Sequence, residues 1–141
     1  MFVVLDTNHF AELVHGTVLG GRLKARFQAR KAQVFTTVIT AQEVTEGWSA
    51  FIRRQKPGST KQIHGYAQFQ HSLELLMALT VLPFDEQAAG IFRDLRKALP
   101  QAGTQDIKIA SICLAHDATL LTRNESDFKK IPRLRVENWL E

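Results

Sequence analysis

Four acidic residues carry the chemistry this sequence could do: Asp6 in VVLDTN, Glu43 in TAQEV, Asp106 in TQDIKIA and Asp127 in TRNESDF. Carboxylates can hold a cation or relay a proton. No cysteine pair and no histidine at metal-binding spacing accompanies them. An oxygen-only donor set selects a hard ion, Mg2+ or Mn2+ rather than Zn2+. Such an ion suits phosphate chemistry, because it polarises a phosphoryl oxygen and lowers the pKa of an attacking water. Each carboxylate also has a local explanation. Asp6 fits the cap of a helix opening at Thr7-Asn8. Thr40 and Glu43 fit a capping box. Asp106, behind Gly103 or Thr104 as cap, suits the positive end of a helix. Asp127 fits a turn, with Asn124 and Ser126 as caps. Converging at one place, however, the carboxylates would repel one another unless a cation compensates.

The elements that must position them alternate between strands and helices. FVVL (Phe2–Leu5) is apolar at every position, the pattern of a parallel strand covered on both faces. A helix over Asn8 to about Val14, a break at HGTVLGG and a helix through GRLKARFQARK follow. QVFTT reads as the second strand and TAQEVTEGWSAFIRR as a helix, closed by the loop RQKPGST. A helix from about Thr60 to Ala78 leads to the strand TVLPF, and the amphipathic DEQAAGIFRDLRKAL comes next. TQDIKIASICLAH is apolar almost all round and should be a buried helix. ATLLT is the fourth strand, NESDF a turn or short helix, and LRVENW a final strand. The pattern predicts an α/β fold, a three-layer α/β/α sandwich with a mainly parallel sheet of four or five strands, in a single domain over 1–141. In such sheets ligands bind outside the carboxyl ends of the strands. Asp6, Asn124 and Asp127 belong at that edge, as does Glu43. Asp106 joins them only if its helix begins there.

Composition is that of a globular chain, 45% hydrophobic and 23% charged, with no low-complexity tract. The most apolar segment, Leu73 to Phe84, falls short of the ~20 residues that span a bilayer, and the N-terminus has no signal-peptide pattern. A cytoplasmic protein is expected. The single Cys113 lies in an apolar stretch and should be a packed thiol. The net charge of +4 is gathered around Arg22–Lys31, Arg53–Lys61 and Lys129–Arg135. Arg53, Arg54, Lys56 and Arg123 are candidates for contacting a nucleic-acid backbone.

In that order and context the motifs VVLDTN, TAQEV, AGTQDIKIASICLAHDATLLTRNESDF and LRVENW resemble the PIN domain, and within it the VapC-like toxins of bacterial toxin–antitoxin pairs. The resemblance runs from end to end and is most specific from Gly103 to Phe128. It implies a metal-dependent endoribonuclease cutting tRNA, rRNA or mRNA to leave a 5′-phosphate and a 3′-hydroxyl. Asp6, Glu43 and Asp106 match the family's acidic positions. Asp127 takes the fourth, with Asn124 standing where many members carry Asp. Asp6, Asp106 and Asp127 would hold one or two Mg2+ or Mn2+ ions, and Glu43 would position the water or act as base. Thr7, Asn8, Thr122 and Asn124 match supporting polar positions. The resemblance also implies a homodimer neutralised by a cognate antitoxin, whose segment would lie in a groove along Asn8–Val14 and Thr40–Arg54. Trp48 and Phe51 could line it or pack in the core. His9 and His15 are expected to be structural or surface residues.

Competing readings fare less well. A haloacid-dehalogenase-type phosphatase needs a second Asp two residues after the first, where this chain has Asn8. A response-regulator receiver needs a mid-chain Asp and a late Lys, and neither is convincing. A catalytically silent RNA-binding or interaction module would be expected to have lost acidic residues that are present here.

Overall fold

The computed structural model describes residues 1–141. Five strands, β1 (Phe2–Leu5), β2 (Gln33–Thr37), β3 (Thr80–Leu82), β4 (Thr119–Leu121) and β5 (Arg135–Glu137), form one sheet in the order β3-β2-β1-β4-β5. Every pairing is parallel, with Val4 opposite Phe35 on one side and Leu120 on the other. β1 is therefore central, which explains why its apolar run does not alternate with polar residues: both faces are covered.

Side chains leave the strands alternately and build two cores. Val4 and Leu120 join Ile107, Ile112 and Leu95 on one face, under α5 (Glu86–Ala98) and α6 (Thr104–Ala115). Val3, Leu5 and Leu121 join Phe10, Leu23 and Val44 on the other, under α1 (Thr7–His15), α2 (Val18–Arg30) and α3 (Val38–Arg54), with α4 (Thr60–Ala78) beside them. The result is the expected three-layer sandwich. Fully buried leucines such as Leu5, Leu120 and Leu121 each contribute about 1.5–3 kcal/mol of apolar transfer energy. As expected, α6 is buried along most of its length, and burial pushes the Cys113 thiol up to about 12, leaving it packed and unreactive. No helix is long and apolar enough to cross a membrane.

Strand order decides where a site can form. The chain moves outward from β1 to β2 and β3, then returns to place β4 on the opposite side of β1. That reversal opens a crevice at the carboxyl ends of β1 and β4. Because α6 returns the chain to the start of the parallel strand β4, its own first turn lies at the same edge.

Helix starts differ from the sequence expectation. α3 begins at Val38, not near Thr40, because the extended Thr37 supplies the cap: its hydroxyl accepts from the Thr40 N–H at 3.1 Å. The capping box between Thr40 and Glu43 therefore does not form, and Glu43 falls beyond the first turn. α2 begins at Val18, inside the expected break. Gly16, at φ 61°, ends α1, and Thr17 caps α2 by accepting from the Gly20 N–H at 3.0 Å. β5 is shorter than LRVENW, since the chain turns after Glu137 to bury Trp139 and Leu140.

Gly20 sits where α2 crosses α1, and a Cβ there would lie 2.3 Å from the Glu12 carbonyl oxygen; one at Gly21 would meet nothing within 4 Å. Gly20→Ala should cost about 1–3 kcal/mol by overpacking. Gly21→Ala should gain about 0.5–1 kcal/mol of helix propensity. Urea unfolding of the two variants checks the contrast, and equal effects would contradict the crossing.

Candidate functional site

Each site residue is set by a different piece of local structure. Asp6 follows the last residue of β1, and its backbone N–H donates to the Leu121 carbonyl at 3.1 Å, tying it to β4. Its carboxylate caps α1, with Oδ1 accepting from the His9 N–H at 3.0 Å. Asp6 is nonetheless 7% exposed at the crevice, so cap and site coexist in one side chain. Glu43 is half-buried on α3, and Thr7 stands beside it from the first turn of α1. Asp106 lies in the first turn of α6, which Gly103 starts without a side-chain cap.

On the far side, the short helix α7 (Glu125–Phe128) follows β4 and carries Asp127. The Asn124 side-chain amide donates to Asp127 Oδ2 at 2.9 Å, so the two side chains are held together. Thr122 is fully buried, and its hydroxyl accepts from the Asn124 N–H at 3.0 Å. It shapes the turn that presents Asn124. Asn8 is exposed, and no side-chain hydrogen bond joins it to the carboxylates.

The four acids share one electrostatic environment. Burial holds the Glu43 carboxyl above the usual carboxylate range, and the charges of Asp106, Asp6 and Glu46 add to the rise, while the Thr7 hydroxyl opposes it. Burial raises Asp106 as well, reinforced by Asp127 and Asp6. Asp106 thus feels the carboxylates on both sides of the crevice. No group of three acidic, histidine or cysteine side chains stands as a finished metal cage. The donor set is nevertheless all oxygen and like-charged, a chemistry that a hard divalent cation fits.

Two hollows flank these acids. One, of about 380 Å³, is bounded by Asp106, Asp127 and Lys130 and by the α5–α6 connection at Leu99, Gln101 and Ala102. The other, of about 330 Å³, runs between α1 and α3 past Thr7 and Glu43, lined by Phe10, Val14, Trp48 and Phe51, with Arg54 at its side. Arg53, Arg54, Lys56 and Arg123 are all exposed.

Of the two alternatives expected for His9, structural or surface, the fold takes the structural one and sets it against Asp6. Its ring is buried at 0% exposure, with Nδ1 3.2 Å from Asp6 Oδ1. A signal existed: three residues beyond a helix cap, a side chain can fold back to that cap.

A family model described as PIN domain matches residues 3–134. The chain is 36% identical over 77 residues to Ribonuclease VapC2 of Rickettsia felis, covering 51% of this chain and 58% of that protein. Ribonuclease VapC1 of the same organism is 41% identical over 61 residues, or 40% of this chain and 46% of its own length. The matched stretches therefore span about half the length of these curated relatives. In the crystal structure of VapBC2 from Rickettsia felis bound to a DNA fragment from its promoter, a chain superposes with TM-score 0.76 at 26% identity, covering 99% of both chains. VapBC-1 from nontypeable Haemophilus influenzae shares the fold, with TM-score 0.77 at 22% identity over the whole of both chains.

The raised carboxyls make stability depend on pH in a definite direction. A carboxyl that holds its proton more tightly folded than unfolded stabilises the fold at low pH. That contribution is lost as pH rises through the window between the ordinary carboxylate value and the raised one. Without divalent ions, these two carboxyls should contribute more to stability near the bottom of that window than at pH 7. Asp106→Asn should recover a few degrees at pH 7, on the order of the ~2–8 °C that 1 kcal/mol shifts a domain of this size. Calorimetry in EDTA checks both, and a destabilised Asp106→Asn would contradict the repulsion.

Proposed function

Because the chain belongs to the PIN domain family, we propose that it is a Mg2+- or Mn2+-dependent endoribonuclease, the toxin of a toxin–antitoxin pair. The observation that carries this reading is the convergence of Asp6, Glu43, Asp106 and Asp127 at one crevice, where Glu43 and Asp106 hold their protons above the usual carboxylate range. Its likeness to Ribonuclease VapC2 supports the same activity.

In this reading Asp6, Asp106 and Asp127 hold the cation. The bound ion supplies Lewis acidity toward a phosphoryl oxygen and an attacking water. Asn124 fixes the rotation of Asp127 through its 2.9 Å bond. Glu43 positions the attacking water or acts as general base, a role for which its partial burial and the neighbouring Thr7 hydroxyl place it at the crevice. The exposed Arg53, Arg54, Lys56 and Arg123 draw the RNA backbone toward the crevice by charge.

The hollow between α1 and α3 suits the antitoxin. Its aromatic lining from Phe10, Trp48 and Phe51 accepts an apolar segment, and Glu43 at its edge accepts a basic side chain from that segment. Trp48 is half-buried and meets His15, Phe51 and His64 edge-on, so it serves packing and groove together. A second copy would complete the homodimer, with Ile63, Tyr66, Leu73 and Met77 on α4 as exposed apolar candidates for the contact. Such a toxin acts in the cytoplasm, where its RNA substrates are.

Asp6→Asn tests the core of the reading. Asn caps a helix as well as Asp does, so the fold should persist. RNA cleavage in Mg2+ or Mn2+ should fall by on the order of 10²–10⁴-fold. EDTA should abolish wild-type cleavage and added Mn2+ restore it. Undiminished cleavage by Asp6→Asn would overturn the assignment.

A further inference from the structure

We propose that His9 is a positioning residue for the Asp6 carboxylate, fixing which carboxylate oxygen faces a cation and coupling the site to the segment after β5. The inference rests on the reading of Asp6 as a cation ligand.

His9 is fully buried between two hydrogen-bonding neighbours. Nε2 lies 3.2 Å from the Trp139 backbone nitrogen, and Nδ1 lies 3.2 Å from Asp6 Oδ1. A backbone N–H can only donate, so Nε2 must present its lone pair to Trp139. The single proton of a neutral imidazole then sits on Nδ1, where it donates to Asp6. Asp6 Oδ1 also accepts the His9 backbone N–H at 3.0 Å. Two donors on Oδ1 satisfy that oxygen and lock the carboxylate's rotation, which leaves Oδ2 as the oxygen free for a cation. A donor behind a ligating group is the usual means by which a protein fixes ligand orientation.

The other end of this relay is firmly held. The Trp139 ring lies under the guanidinium groups of Arg30 and Arg26, 5.0 and 5.7 Å from its centroid, and 5.9 Å from the Phe27 ring. Its Nε1–H donates to Glu137 Oε1 at 3.3 Å. A continuous path of contacts therefore runs from α2 through Trp139 and His9 to Asp6. An apolar residue could fill the volume of the imidazole, but it would strip both the Trp139 N–H and Asp6 Oδ1 of a partner.

The test compares His9→Leu with His9→Asn, whose amide nitrogen is bonded to Cγ as Nδ1 is and can restore the donor to Asp6. Mn2+ is titrated into the intact protein without RNA, and free ion is read by electron paramagnetic resonance. His9→Leu should weaken binding by about 10–100-fold, and His9→Asn should return it to within about threefold of wild type. Wild-type affinity in His9→Leu, or equal weakness in a folded His9→Asn, would overturn the proposal. Should His9→Leu fail to fold, 15N-resolved NMR of the wild-type ring decides: a proton on Nδ1 supports the relay, and a proton on Nε2 sinks it. A wild type that binds no Mn2+ would overturn the cation reading and this inference together, whereas unaltered binding in His9→Leu overturns this inference alone.

Discussion

Like charges gathered at one sheet edge repel, and much of the local structure around the crevice answers that repulsion. Each carboxylate is held by a different device. Asp6 rests on two donors from His9. Glu43 has the Thr7 hydroxyl beside it, partly opposing the effect of burial. Asp106 lies in the first turn of α6, where the unpaired N–H groups of the helix favour an anion. Asp127 is tied to the Asn124 amide. None of these devices cancels the mutual repulsion at Asp106, whose carboxyl stays above the usual carboxylate range.

The sheet makes the gathering possible. A parallel sheet whose strand order reverses at β1 sends two chain segments away from each other and leaves a gap between their starting points. Apolar side chains on both faces of β1 and β4 fix that gap to a rigid layer. The helices then deliver Glu43 and Asp106 to it from distant parts of the chain. Buried strands thus act as the ruler, and helix starts act as the pointers.

The strands, the buried α6 and the acidic positions were legible in the sequence because each leaves a local mark: an apolar run, an apolar helix, a carboxylate at an element boundary. Helix starts were less legible. Thr37 and Thr40 are equally good caps by type, and only the extended backbone at Thr37 decides between them. The choice matters, because it frees Glu43 from a structural duty and leaves it to the crevice. The bond between Asn124 and Asp127 depends on the turn that Thr122 shapes, which residue types alone do not fix. The contact of His9 with Trp139 spans almost the whole chain, and no pattern in either neighbourhood announces it. Long-range pairing of this kind depends on how β5 ends.

The connection between α5 and α6 is held by a single side chain. Arg96 donates to the carbonyl oxygens of Pro100 at 3.0 Å and Ala102 at 2.8 Å, and to the Thr104 hydroxyl at 2.9 Å. Most of these acceptors belong to the backbone, so the clamp reads the path of the loop and hardly its side chains. The path of the loop into the first turn of α6, where Asp106 lies, is thereby held largely through main-chain acceptors. Gln101 is exposed on the wall of the adjoining hollow and takes no part in the clamp through its side chain. The loop's path and the loop's side chains are thus held by different groups, and a change in one need not move the other.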